Sequence, residues 1–115
     1  MHELSIALSI VDLVLEEPAV AAGARVDAVR VTVGALSGVA KDALVFSYEI
    51  ACQDSPLAGS RLIVEELPVL VFCTRCNGQQ AVESPLSTCC AVCGMPAAEI
   101  VQGRELTVSS LEVLI

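Results

Sequence analysis

Apolar residues near the amino end recur at helical spacing. Leu4, Ala7, Leu8, Val11, Val14 and Leu15 stand three and four residues apart, with Asp12, Glu16 and Glu17 on the other side. That stripe predicts an amphipathic helix over 4–22, ended or kinked at Pro18 and stopped by Gly23. The period then changes. Val29 to Val33 alternate strictly with polar residues, so 25–34 is predicted as a half-buried strand. Residues 34–38 read as a loop. A second helix is predicted over 40–51, with Leu44, Val45, Tyr48 and Ile50 as candidate core positions. The stretch 53–60, with Asp54, Ser55, Pro56 and Gly59, is a loop. Residues 61–67 alternate again at Leu62 and Val64, giving a second strand. After Gly103 the segment ELTVSSLEVLI returns to strand character.

The pattern breaks at Pro68. Residues 69–103 hold five of the six cysteines and show little helical periodicity. A stretch that short cannot build its own core and needs a staple. The expected architecture is α+β: two helices packed on a small mixed three-stranded sheet. Residues 1–67 and 104–115 form that domain, and 68–103 form an inserted zinc-ribbon-like module.

Composition narrows the function classes. The chain has 115 residues, enough for one compact domain, and is 55% hydrophobic, which argues against disorder. Its only aromatics are Phe46, Tyr48 and Phe72, so the core must be aliphatic. Six Lys and Arg face fourteen Asp and Glu, a net charge of −8. Binders of nucleic acid gain affinity by neutralising phosphates, and this balance opposes that; acidic membrane surfaces would repel the chain equally. The segment 4–15 is too short to cross a bilayer, and no basic secretory start is present, so the chain reads as cytoplasmic. In a reducing compartment, clustered cysteines point to metal or redox chemistry more than to disulfides.

Cys73-Thr-Arg-Cys76 and Cys90-Ala-Val-Cys93 are two C-x-x-C pairs separated by 13 residues. Each tight turn presents two sulfurs to one ion, and two facing turns make a tetrahedral four-sulfur site suited to Zn2+. Four thiolates leave no open position, so such a site is structural and contributes folding energy. Iron shares this geometry, and paired dithiols are the redox alternative. Cys89 stands beside Cys90 and is a rival ligand at one-residue longer spacing. Cys52 reads as a small buried hydrophobe.

His2 is the only histidine. Taken alone, such a residue is usually solvated and inert. Its position nevertheless permits a specific chelate. The Met1 amine, the His2 backbone nitrogen and the His2 ring nitrogen can close adjoining rings on one ion, with the Glu3 backbone nitrogen as a fourth donor. Planar nitrogen coordination favours Ni2+ or Cu2+ over Zn2+.

MHELSIALSIVDLV, VGALSGVAKDAL, the two C-x-x-C pairs and GRELTVSSLEV together resemble the hydrogenase nickel-incorporation (HypA/HybF) family. The resemblance runs over nearly the whole chain in one order. It implies a nickel metallochaperone for [NiFe]-hydrogenase maturation, not an enzyme. Met1, His2 and Glu3 would carry nickel, and Cys73, Cys76, Cys90 and Cys93 structural zinc. It also implies a HypB-type GTPase partner and delivery to the hydrogenase large-subunit precursor, with urease accessory proteins served by some members. Two departures stand out: Asn77 precedes Gly78 at the first knuckle, and Ala91 occupies the usual proline position at the second. No phosphate-binding loop and no H-E-x-x-H motif is present. The rival reading is a zinc-ribbon protein-interaction module without nickel delivery.

Overall fold

Pro18 splits the N-terminal apolar stretch into two helices. In the computed structural model, which describes residues 2–82, 84, 87–97 and 99–114, helix α1 spans His2–Leu15 and helix α2 spans Pro18–Ala21. Glu17, forced toward extended backbone by the proline after it, sits at φ −62°, ψ 132° and breaks the helical path. Pro18 then occupies the first turn of α2, where its missing N–H leaves no gap. Of the two outcomes open at Pro18, the helix ends before it, and a short second helix follows.

Ala7, Ile10, Val11 and Val14 are the buried positions of α1. Leu4 and Leu8, which share the apolar periodicity, are 42% and 48% exposed. The stripe in the sequence is wider than the face the helix buries. Helix α3, Lys41–Cys52, packs against α1 and buries Leu44, Tyr48 and Cys52, while Ile50 stays exposed.

The strands β1 (Arg25–Gly34), β2 (Arg61–Leu67) and β6 (Leu106–Leu114) form one sheet in the order β2-β1-β6. The central place of β1 explains its burial at Val26, Ala28, Val29, Val31 and Val33. The α+β class and these three strands are as the pattern predicts. A second sheet was not legible in the sequence. It is built from β3 (Leu70–Cys73), β4 (Gly78–Ala81) and β5 (Glu99–Gln102), with β3 in the middle and antiparallel to both neighbours.

The chain divides into two compact units. One comprises Met1–Val31, Val39–Glu65 and Thr107–Ile115; the other comprises Thr32–Gly38 and Glu66–Leu106. In the second unit the end of β1 is stitched to returning chain. Gly34 donates its N–H to the Glu105 carbonyl at 2.7 Å, Ala35 to Leu67 at 3.0 Å, and Leu36 to Gly103 at 2.7 Å. Among the described residues, no helix is long and apolar enough to cross a membrane.

Candidate metal centres

The cysteine cluster begins with a hairpin. Strand β3 ends at Cys73, directly opposite Gly78 of β4, so the four residues between them must turn sharply. The turn brings the Cys76 N–H to 3.4 Å from the Cys73 sulfur. That donor favours the thiolate, and it is the main reason the Cys73 thiol titrates below its ordinary range. Burial pushes the Cys76 thiol the other way.

The second knuckle is tied down by backbone bonds. Cys90 donates its N–H to Met95 at 2.9 Å and accepts from Gly94 at 2.8 Å, and the Ala91 N–H reaches Ala81, the last residue of β4, at 2.9 Å. The two turns meet. The sulfurs of Cys73, Cys76, Cys90 and Cys93 all lie within 4.8 Å of one another. Cys73 and Cys93 are 3.5 Å apart, and Cys76 and Cys90 are 3.9 Å apart. Zinc–sulfur bonds of about 2.3 Å at tetrahedral angles require sulfurs roughly 3.8 Å apart. The donor set therefore fits a structural ion of that size. Cys89 does not join this group. It is half-buried, forms a bridge with Pro96 and donates its N–H to the Ser87 hydroxyl at 3.2 Å.

The departure at Asn77 has a structural account. Asn77 takes φ +56° and Gly94 takes φ +76°, each immediately after the second cysteine of its knuckle. Both turns need a left-handed residue there, and Asn is the non-glycine side chain that tolerates it best. Asn77→Gly should leave the urea midpoint unchanged or raise it. Asn77→Val should lower stability by about 1–2 kcal/mol. Equal losses from both substitutions would contradict this account.

Cys52 is separate chemistry. It is 3% exposed, and burial raises its thiol above the ordinary range. It lines a cleft of about 600 Å³ beside α3 with Tyr48, Ser60 and Leu62. The Tyr48 and Ser60 hydroxyls satisfy one another at 2.7 Å. A neutral buried thiol among satisfied neighbours behaves as core.

The proposed nickel donors lie at the start of α1. Met1 falls outside the described residues. His2 is the first residue of the helix, and its side chain is 50% exposed. Glu3, in the first turn, is 13% exposed and turns inward. Its Oε2 accepts the Ala40 N–H at 3.3 Å and lies 3.7 Å from His2 Nε2. Sequence reasoning missed Ala40 because a backbone donor leaves no signature in residue type.

A family model described as "Hydrogenase/urease nickel incorporation, metallochaperone, hypA" matches residues 1–113. A hydrogenase maturation factor HypA of Chloroflexus aurantiacus is 47% identical over 112 residues, covering 97% of this chain and 98% of that protein. The corresponding factor of Geobacter metallireducens is 40% identical, covering 98% and 99%. Among solved structures, the solution structure of the Ni metallochaperone HypA from Helicobacter pylori aligns with a TM-score of 0.64 at 28% identity, covering 99% of this chain and 98% of that one.

Proposed function

This chain belongs to the HypA family of hydrogenase and urease nickel-incorporation metallochaperones, and from that premise we propose that it carries Ni2+ on its amino terminus during [NiFe]-hydrogenase maturation. The observation that carries the reading is the family match from residue 1, with His2 opening α1 in the same chain as a four-cysteine cluster. Nickel is the cargo and zinc the resident ion. Met1, His2 and Glu3 supply the nickel donors, mostly through main-chain nitrogens. Amide nitrogens this early in a helix have no carbonyl four residues back, so turning them toward a metal breaks no helical hydrogen bond. The site is made from few side chains, and the His2 side chain is 50% exposed, which suits exchange with a partner better than storage.

Cys73, Cys76, Cys90 and Cys93 hold Zn2+ and fold the inserted module over 68–103 in this reading. The partners are a HypB-type GTPase and the hydrogenase large-subunit precursor, with urease accessory proteins as a further destination, and the setting is cytoplasmic. The chain supplies ligands and a surface for handover rather than catalysis. The rival, a ribbon module that binds proteins without nickel, draws support from Val92, which is 71% exposed at the second knuckle.

A nickel titration on tagless protein separates the two. We expect one Ni2+ per chain with a planar-site absorbance, beside one tightly held Zn2+. His2→Ala, or an added N-terminal extension, should weaken nickel by on the order of 100-fold and leave zinc in place. Undiminished nickel binding in both variants would refute the assignment and leave the ribbon reading.

A further inference from the structure

We infer that the Glu3 carboxylate is a positioning group rather than a nickel ligand: it seats the His2 imidazole on the N-terminus of α3. The inference rests on the nickel reading above and adds a second helix to it.

The helix α3 opens at Ala40, whose side chain offers no cap of its own. Its backbone sits at φ −84°, ψ 122°, extended as an N-cap must be. The cap arrives from another helix: Glu3 Oε2 accepts the Ala40 N–H at 3.3 Å. A carboxylate is well placed there, because the exposed amides of a helix start carry partial positive charge. Lys41 and Asp42 follow in the first turn, one of each sign.

The same oxygen faces His2 Nε2 at 3.7 Å, an ion-pair distance that a small contraction turns into a hydrogen bond. That hydrogen bond, once made, selects a tautomer. With Nε2–H directed at the carboxylate, the Nδ1 lone pair is left for a metal. Nδ1 is also the ring nitrogen that can close a chelate with the His2 backbone nitrogen, since Nε2 lies on the far side of the ring. Metal-bound histidines commonly give their other N–H to a carboxylate, which fixes ring orientation and raises basicity. Glu3 does this while anchored at its own other contact. The resulting chain of contacts runs from the Ala40 amide to the Glu3 carboxylate to the His2 ring to the ion.

Three variants of the tagless full chain test the inference. Ala40→Pro removes the donor and puts its Cδ where the N–H pointed, so the Glu3 carboxylate must leave this contact. The φ of −84° is close to proline's range, and the Ala40 carbonyl keeps the Leu44 N–H at 2.9 Å. Glu3→Ala removes the acceptor, and Glu3→Gln keeps a neutral one. Nickel affinity is read by competition and ligand geometry by absorbance, while hydrogen exchange of interior α3 amides confirms that each variant is folded. We expect Glu3→Ala to weaken nickel roughly 10–100-fold and Ala40→Pro roughly 10-fold. Glu3→Gln should lose less than Glu3→Ala. The planar-site absorbance should be unchanged in all three, and Ala40→Pro should add no further loss on top of Glu3→Ala. Wild-type affinity in folded Ala40→Pro, additive losses, or an altered absorbance in Glu3→Gln would overturn it. If the unmodified chain binds no nickel at its terminus, the functional reading fails as well; if it binds and Ala40→Pro has no effect, only the positioning role fails.

Discussion

Chelating the metal from reduced protein should abolish amide protection across β3, β4 and β5 while the interior amides of α1 and α3 stay protected. The three strands are four residues each, and the best-buried apolar side chain among them is Val71. A segment this small cannot bury enough apolar surface to fold without a staple. The four sulfurs tie the β3–β4 hairpin to the second knuckle, and apparent zinc binding energies in comparable small modules are about 10–16 kcal/mol. That exceeds anything else stabilising this segment. By contrast, α1 and α3 bury Ala7, Val14, Leu44 and Tyr48 almost completely against apolar neighbours and need no ion. Cys90→Ser should mimic chelation, whereas Cys89→Ser should keep one tightly held zinc. Hydrogen exchange with metal quantification checks both. Unchanged protection of Val71 and Phe72 after complete metal removal would sink the structural role.

Gly34→Ala should lower stability by about 3 kcal/mol, which for a chain of this size moves the thermal midpoint by on the order of 10 °C. A Cβ at Gly34 would lie 2.1 Å from the Gly103 carbonyl oxygen and 2.6 Å from the Arg104 nitrogen. Those are backbone atoms, so no side chain can swing away. The same carbonyl accepts the Leu36 N–H, and Gly34 itself donates to Glu105, so any retreat also loosens these bonds. Gly38→Ala is the control. Gly38 has φ +77° and open space around its missing Cβ, so only torsional strain of about 1 kcal/mol should register. Equal losses from the two changes would mean that close packing at Gly34 is not what matters.

How legible these features were depends on what kind of signal each one leaves. The valine alternation from Val29 to Val33 announced β1, because successive side chains of a strand point to opposite faces and one of those faces is buried here. The helix over 41–52 was visible through its own, longer period. The periodicity of α1 was visible too, but it over-counted the core: Leu4 and Leu8 fit the period and still face solvent. Helical spacing says which residues share a side, not how much of that side another element covers. Strands of four residues leave no period to read, so the second sheet was invisible, while the cysteines lying between the end of its first strand and the start of its last were conspicuous. The paired spacing of the cysteines gave the cluster, but a residue's left-handed backbone, as at Asn77, is legible only when the turn around it is known. The Ala40 amide was beyond reach altogether.

The central place of β1 has a consequence for how the chain is made. Its edge on the β6 side is closed by residues some eighty positions away, as the 2.9 Å contact between Arg30 and Glu112 illustrates. At translation rates of about 5–20 residues per second, that edge stays open for on the order of 10 s after β1 emerges. An unpaired apolar strand is a template for pairing with other chains. The emergence of β6, rather than the early appearance of the helices, therefore sets when the sheet is finished. The residues proposed to take nickel are synthesised some hundred positions before the strand that completes the sheet, so an ion captured during synthesis would meet an unfinished protein.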